Sequence, residues 1–144
     1  MIGILIPGLI MKKAYYISKQ DNEGFALVKY DIGTKTSEIR LNMESNFGFK
    51  LSNDEKKLLI KNSRQMYLYE IEADLLIEIN MPDIHIKYIW SPCFLPDDKF
   101  AAFSYVYDDG SYLNSHQIWI MDFSTMRLEK IYEKRKASIS DILW

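Results

Sequence analysis

A chain of 144 residues with 48% apolar and 14% aromatic side chains is long enough to bury the core of one domain. Its formal charge of −2 excludes the concentrated basic face that phosphate backbones demand, so nucleic acid is not expected as a direct ligand and a basic protein suits the acidic body better. The single cysteine, Cys93, excludes an internal disulfide and fits a reducing, cytoplasmic setting, where beside Pro92 it reads as a small buried apolar residue.

The opening Met1 to Ile10 is apolar, but Lys12 and Lys13 follow the apolar run instead of preceding it, the wrong order for a signal peptide. The run is also too short to span a bilayer, so no membrane association is expected. Met11-Lys12-Lys13 has the look of an alternative start, which leaves residues 1–10 as either an upstream extension or an ordinary buried strand. Beyond it, short runs of alternating apolar and polar residues predict strands at 13–18, 25–31, 36–41, 46–51, 57–62, 65–72, 75–80, 86–90, 99–106, 116–123, 127–133 and 138–143. Turns are expected at Asp21 to Gly24, Ile32 to Thr34, Asn53 to Glu55, Asn62 to Arg64, Pro96 to Asp98 and Asp108 to Gly110. Glu70 to Ile79 also admits a helix of one or two turns. No linker or low-complexity stretch divides the chain.

Three stretches share one plan: a strand, an Asp-rich turn, a second strand, then a third strand ending in an acid and a small turn. The clearest copy is Trp90 to Ser104 followed by Gln117 to Thr125, and a weaker one is Leu51 to Ile60 followed by Gln65 to Glu72. The first persists as Tyr15 to Ser18 and Ala26 to Thr34. The strand-ending acids Asp31, Glu70 and Asp122 fall in register, and the longer second interval is assigned to an extra loop, Tyr105 to Ser115, as a longer inner hairpin inserted in one copy. A repeat of roughly 40 to 50 residues made only of short strands marks propeller blades. The expected fold is therefore all-β, with antiparallel blade-like repeats in a partial or distorted β-propeller: one domain, 1–144, of about three units at roughly 11–45, 46–85 and 86–137. Ile139 to Trp144 echo Ile86 to Trp90 and would open a fourth unit.

Trp90-Ser91-Pro92, Leu95-Pro96-Asp97-Asp98-Lys99-Phe100-Ala101-Ala102-Phe103-Ser104 and Gln117-Ile118-Trp119-Ile120-Met121-Asp122 together resemble the TolB-like, WD-type β-propeller repeat. That repeat reads Ser-Pro-Asp-Gly-Lys, an apolar strand, then Ile-Trp/Tyr-apolar-apolar-Asp. Pro96 and Asp97 suit its tight turn, but Asp98 stands where the family has Gly. In the second copy, Ser52-Asn53-Asp54-Glu55-Lys56, Asn replaces Pro and Glu replaces Gly. The resemblance covers residues 46–133 well and 13–45 loosely, and it implies a blade without implying an activity. Three blades cannot close a ring, and an open sheet edge invites aggregation. A fragment of a longer chain, a homodimer of half-propellers, or a small domain of drifted units would each answer this. The last is favoured, given the start at Met11 and a terminal Leu143-Trp144 able to pair back.

Catalytic chemistry needs convergent groups, and few are present. His85 and His116 lie in no metal-ligand spacing, no serine sits in a Gly-x-Ser-x-Gly elbow, and the six glycines form no phosphate loop. Asp108-Asp109-Gly110-Ser111 with Asn114 crowds oxygen ligands into a turn, yet lacks the spaced acids and closing Glu of a calcium loop. No enzyme activity, metal or cofactor is expected.

Two surfaces could take a partner. From Gln65 to Ile86 the acids Glu70, Glu72, Asp74, Glu78 and Asp83 occur with no Lys or Arg, either as a solvated face or as a docking surface for a basic protein. On one strand, Glu70 and Glu72 would share a face. The second surface is the inserted loop, with Tyr105, Tyr107 and Tyr112 beside Asp108 and Asp109. The expected function is a non-enzymatic protein-binding module, in its sharpest form an immunity protein that neutralises a basic toxin domain such as a nuclease by direct binding. The alternatives are a propeller fragment of a TolB-like or peptidase-associated protein, or a fragment that binds a small ligand or glycan.

Overall fold

Alternating side chains over runs of four to nine residues leave strands as the only regular element of the described residues. A computed structural model describes residues 12–21, 24–62, 65–80, 86–96, 99–108 and 114–135, with side chains at all of these except 86–91, 100–108, 114–116, 134 and 135. The strands are β1 (Lys13–Lys19), β2 (Phe25–Asp31), β3 (Thr36–Met43), β4 (Gly48–Leu51), β5 (Lys57–Lys61), β6 (Met66–Glu70), β7 (Leu75–Ile79), β8 (Ile86–Phe94), β9 (Phe100–Asp108), β10 (Asn114–Asp122) and β11 (Arg127–Arg135). They form three antiparallel meanders, β1-β2-β3, β4-β5-β6-β7 and β8-β9-β10-β11. The first lies in a compact unit ending at Phe47, the other two in a unit beginning at Gly48.

In the first unit Ala26, Leu27 and Val28 of β2 are consecutive and all buried, as is Tyr15 of β1. A run buried on successive positions is covered on both faces of its sheet. The same pattern recurs in β5, where Leu58, Leu59 and Ile60 are fully buried. In the second unit one apolar cluster joins two sheets: Leu59, Met66, Leu68 and Ile79 of the second meet Met121 of the third, with Phe94, Trp119, Phe123, Met126 and Leu128 packed around them. The rings of Phe94 and Phe123 lie 5.6 Å apart and tilted.

The acids aligned in the sequence end equivalent strands. Asp31 pairs with Thr36, Glu70 with Leu75 and Asp122 with Arg127, so each closes a four-residue turn. The last turn residue, Lys35, Asp74 or Met126, is left-handed at φ 58°, 53° or 55°. The first turn residue donates its amide to the strand before: Ile32 to the Lys12 carbonyl (2.9 Å), Ile71 to that of Lys56 (3.0 Å) and Phe123 to that of Lys99 (3.4 Å). The three meanders are thus copies of one unit. β2–β3 and β10–β11 also share a bulge at the same distance from their turns, whereas β6–β7 runs in unbroken register.

Several expectations require correction. The helix considered over Glu70 to Ile79 is strand, turn and strand, because Leu68, Ile77 and Ile79 enter the core at strand alternation. β6 ends at Glu70, so Glu72 lies in the turn and shares no strand face with it. The longer inner hairpin expected over Tyr105 to Ser115 is present, with its strands extended to Asp108 and from Asn114: β9 and β10 have 9 residues each where β5 and β6 have 5, and Tyr105 and Tyr107 pair with Gln117 and Ser115. The strand expected at 138–143, the start at Met11 and the turn residues Asp97 and Asp98 lie outside the described residues.

The hairpin between β4 and β5 explains its own sequence. The Ser52 hydroxyl donates to Asp54 Oδ1 (2.7 Å) and accepts the Lys57 amide (2.9 Å), while the same carboxylate oxygen accepts the Lys56 amide (3.0 Å). Glu55, at the glycine position of the resembled repeat, is left-handed at φ 59°. That conformation costs a residue with a Cβ about 1–2 kcal/mol. Glu55→Gly is therefore expected to stabilise the protein by about 1 kcal/mol, and Glu55→Val to destabilise it, in urea or thermal unfolding.

Three carboxylates are held below the ordinary aspartate value: Asp31 by the amides of Thr34 and Gly33, Asp54 by the Ser52 hydroxyl and the Lys56 amide, and Asp122 by the Ser124 hydroxyl and amide. A folded pKa below the unfolded one adds stability that is present above the unfolded value and lost as pH falls through the folded one. Stability is expected to drop as pH falls through and below the carboxylate range. Replacing all three by Asn should flatten that dependence in denaturation series run at stepped pH.

Candidate functional site

The acidic residues singled out in the sequence gather on the β6–β7 hairpin, where the fold gives each a different role. Glu70 ends β6 half-buried and lies across from Lys57 of β5, whose ammonium is also 4.0 Å from Asp54 Oδ2. A lysine therefore stands beside a stretch that carries none itself. Asp74, exposed at the left-handed end of the turn, accepts a hydrogen bond from the hydroxyl of Tyr69, whose ring is buried at 1% exposure. Its carboxylate is a charged acceptor for the one polar group of this buried side chain. Glu72 is exposed in the turn. Glu78 is exposed on β7, opposite Tyr67 and 3.5 Å from Gln65 Nε2. Burial, and then the Glu78 charge, push the Tyr67 hydroxyl above its ordinary pKa. Leu75 and Leu76 complete the hairpin surface with 48% and 36% exposure.

The second predicted surface lies on another sheet. Tyr105, Tyr107 and Asp108 belong to β9, and Asp109, Tyr112 and Asp83 lie outside the described residues. His116 is on β10, in register with Val106 and Lys134, while His85 is likewise outside the described residues. Cys93 is half-buried. No group of three or more His, Cys, Asp or Glu among the described residues could hold a metal ion. No helix among them is long and apolar enough to cross a membrane.

Two networks were not legible in the sequence. One is Tyr69 with Asp74. The other centres on Gln117, 3% exposed, whose Nε2 donates to Glu133 Oε1 (3.0 Å) and whose Oε1 accepts the Trp119 indole N–H (3.0 Å). Lys130 Nζ reaches Glu133 Oε2 at 2.8 Å. The alternation Gln117-Ile118-Trp119 was its one signal, since residues two apart on a strand share a face.

No family model matches the chain, and no curated protein matches it. Solved structures do. Tricorn protease superposes on 83% of the chain at TM-score 0.71 and 17% identity, the matched part being 12% of its length. An oligogalacturonate lyase from Vibrio parahaemolyticus matches 85% of the chain at TM-score 0.70 and 15% identity, over 37% of its own length. A protein described as TolB from Agrobacterium tumefaciens matches 85% at TM-score 0.62 and 16% identity, over 46% of its length. All three carry β-propellers, and at such identities the likeness is one of fold. The chain is a run of β-propeller blades. In fold they are similar to the blades of TolB, and the chain corresponds to part of a propeller.

Asp74→Ala is expected to lower stability by about 1–3 kcal/mol, because it removes a charge-assisted hydrogen bond to the Tyr69 hydroxyl. Glu72→Ala should stay within about 0.5 kcal/mol of wild type. Tyr69→Phe combined with Asp74→Ala should cost less than the sum of the two single changes, as read by a double-mutant cycle in urea.

Proposed function

We propose that this chain supplies the propeller portion of a TolB-like or peptidase-associated protein, and that it acts by binding protein, without catalysis of its own. The observation that carries this reading is the match to TolB and tricorn protease, which covers 85% and 83% of the chain but only 46% and 12% of theirs. Three blades leave sheet faces that further blades must cover to close a ring, and those blades would come from the same polypeptide or from a second copy. Nothing in this role calls for a metal, a cofactor or a membrane, and the cytoplasm suits the lone thiol.

A second reading, an immunity protein directed at a basic toxin domain, is favoured by the exposed Glu72 and Glu78 on a hairpin without basic residues. Acids placed this way attract a basic partner at long range.

Crosslinking the tagged chain in its native host and identifying the attached protein by mass spectrometry separates the two. A partner with propeller blades or a hydrolase domain supports the first reading, a basic nuclease the second, and capture of no protein overturns both. His85→Ala with His116→Ala should leave capture unchanged. Under the second reading, Glu72→Lys with Glu78→Lys should slow association and weaken its salt dependence, with dissociation little altered, in surface-binding kinetics.

A further inference from the structure

We propose that the outer edge of β7 accepts an added strand: an extended segment of a partner protein that alternates apolar and basic residues. The inference rests on the protein-binding reading above and assigns that binding to one edge.

Among the described residues β7 pairs with β6 alone, so its other edge offers unpaired amides and carbonyls. The equivalent edges of the other sheets are guarded. β3 carries the bulge opposite Leu27 and Val28, and Glu38 there meets Lys29 (3.7 Å) and Arg40 (2.9 Å). β11 carries the matching bulge opposite Ile118 and Trp119, with Lys130 on Glu133. Bulges and lysines are the usual means of stopping a strand from pairing further. β7, reading Leu-Leu-Ile-Glu-Ile, has neither: its register to β6 is unbroken and it holds no basic residue.

The two faces of β7 specify what would pair with it. Ile77 and Ile79 turn into the core, and Leu75 shares their side while remaining 48% exposed, so an added strand would lay apolar side chains beside this row. Leu76 and Glu78 lie on the opposite face, with Glu72 in the adjoining turn, so that face calls for basic side chains. Backbone hydrogen bonds would supply affinity and the alternating side chains specificity. A second copy fits less well, because two β7 edges would bring two acidic hairpins together.

The probe is a synthetic peptide of alternating valine and lysine, about nine residues long, the upper range of ordinary strands. Its control is the same peptide with every backbone amide N-methylated, which keeps charge and side chains but has no donor on either edge and cannot extend a sheet. Binding is followed by calorimetry and by amide shifts in NMR. The proposal expects the plain peptide to shift the amides of Leu75 to Ile79, the methylated one not to bind, and Leu75→Lys or Glu78→Lys each to weaken affinity about tenfold with unchanged circular dichroism. Equal binding of both peptides would mean charge attraction alone and would overturn it, as would no binding to the wild type. Self-association of the wild type that Leu75→Lys abolishes would make a second copy the occupant, which also overturns it. A host partner captured equally by the wild type and both variants would overturn the edge assignment while leaving the protein-binding reading intact. Peptide binding as expected with no host partner captured would tell against that reading and uphold the edge.

Discussion

The amide of the first turn residue after each strand-ending acid reaches back to the residue just before the neighbouring strand, from Ile32 to Lys12, Ile71 to Lys56 and Phe123 to Lys99. That bond ties the outer hairpin of a blade to the strand before it and so sets the register of three strands at once. Register is the constraint on which the remaining structure depends, because a slip of one residue exchanges the two faces of a strand. In the second sheet it decides that Leu59, Leu68 and Ile79 meet Met121, and in the third that Trp119 and Gln117 lie side by side. The turn acids reinforce the setting locally by accepting amides that the four-residue turn leaves unpaired.

Chemically different residues serve this one geometry. Asp31 and Asp122 hold their turns from the first position with a short carboxylate. Glu70 occupies the same register in the second sheet, and there a carboxylate at the far end of the turn, that of Asp74, bonds back to the strand through Tyr69. The acid's position in the copies therefore persists while its work moves by four residues. This is also why the hairpin cannot be read as a uniform acidic surface: Asp74 belongs to the fold, Glu70 lies across from a lysine, and Glu72 and Glu78 are the acids left exposed.

Much of this architecture was legible because strands declare themselves at period two and the aligned acids mark where they end. The ladder of β9 and β10 runs two residues further toward its tip than the strands read at 99–106 and 116–123, because Asp108-Asp109-Gly110 is a strong turn signal and a turn signal says nothing about how far the flanking strands continue toward it. Tyr105 and Tyr107 are good strand formers and were the clue to the longer ladder. The alternation through Glu72 extends the strand pattern past Glu70 because nothing in the sequence states the length of the turn. The position of Lys57 across from Glu70 is not legible in the sequence, since it depends on pairing between strands and not on neighbours in sequence. The candidate site was thus visible as charge, but not as the separate roles of its four acids.

The contrast among the three outer strands bears on how a propeller blade can gain a binding role without losing solubility. A bulge bends a strand and interrupts its outward row of amides, so losing it leaves a straighter edge that pairs readily with any extended chain. Charge is the remaining control. On β3, Glu38 is held between Lys29 and Arg40, so that edge presents both signs. On β7 the exposed acids of the hairpin all carry one sign, which repels another copy of the same edge and admits a basic one. The absence of Lys and Arg from Gln65 to Ile79 therefore acts as a filter as well as an attraction: it replaces a barrier to every strand with a barrier to most of them.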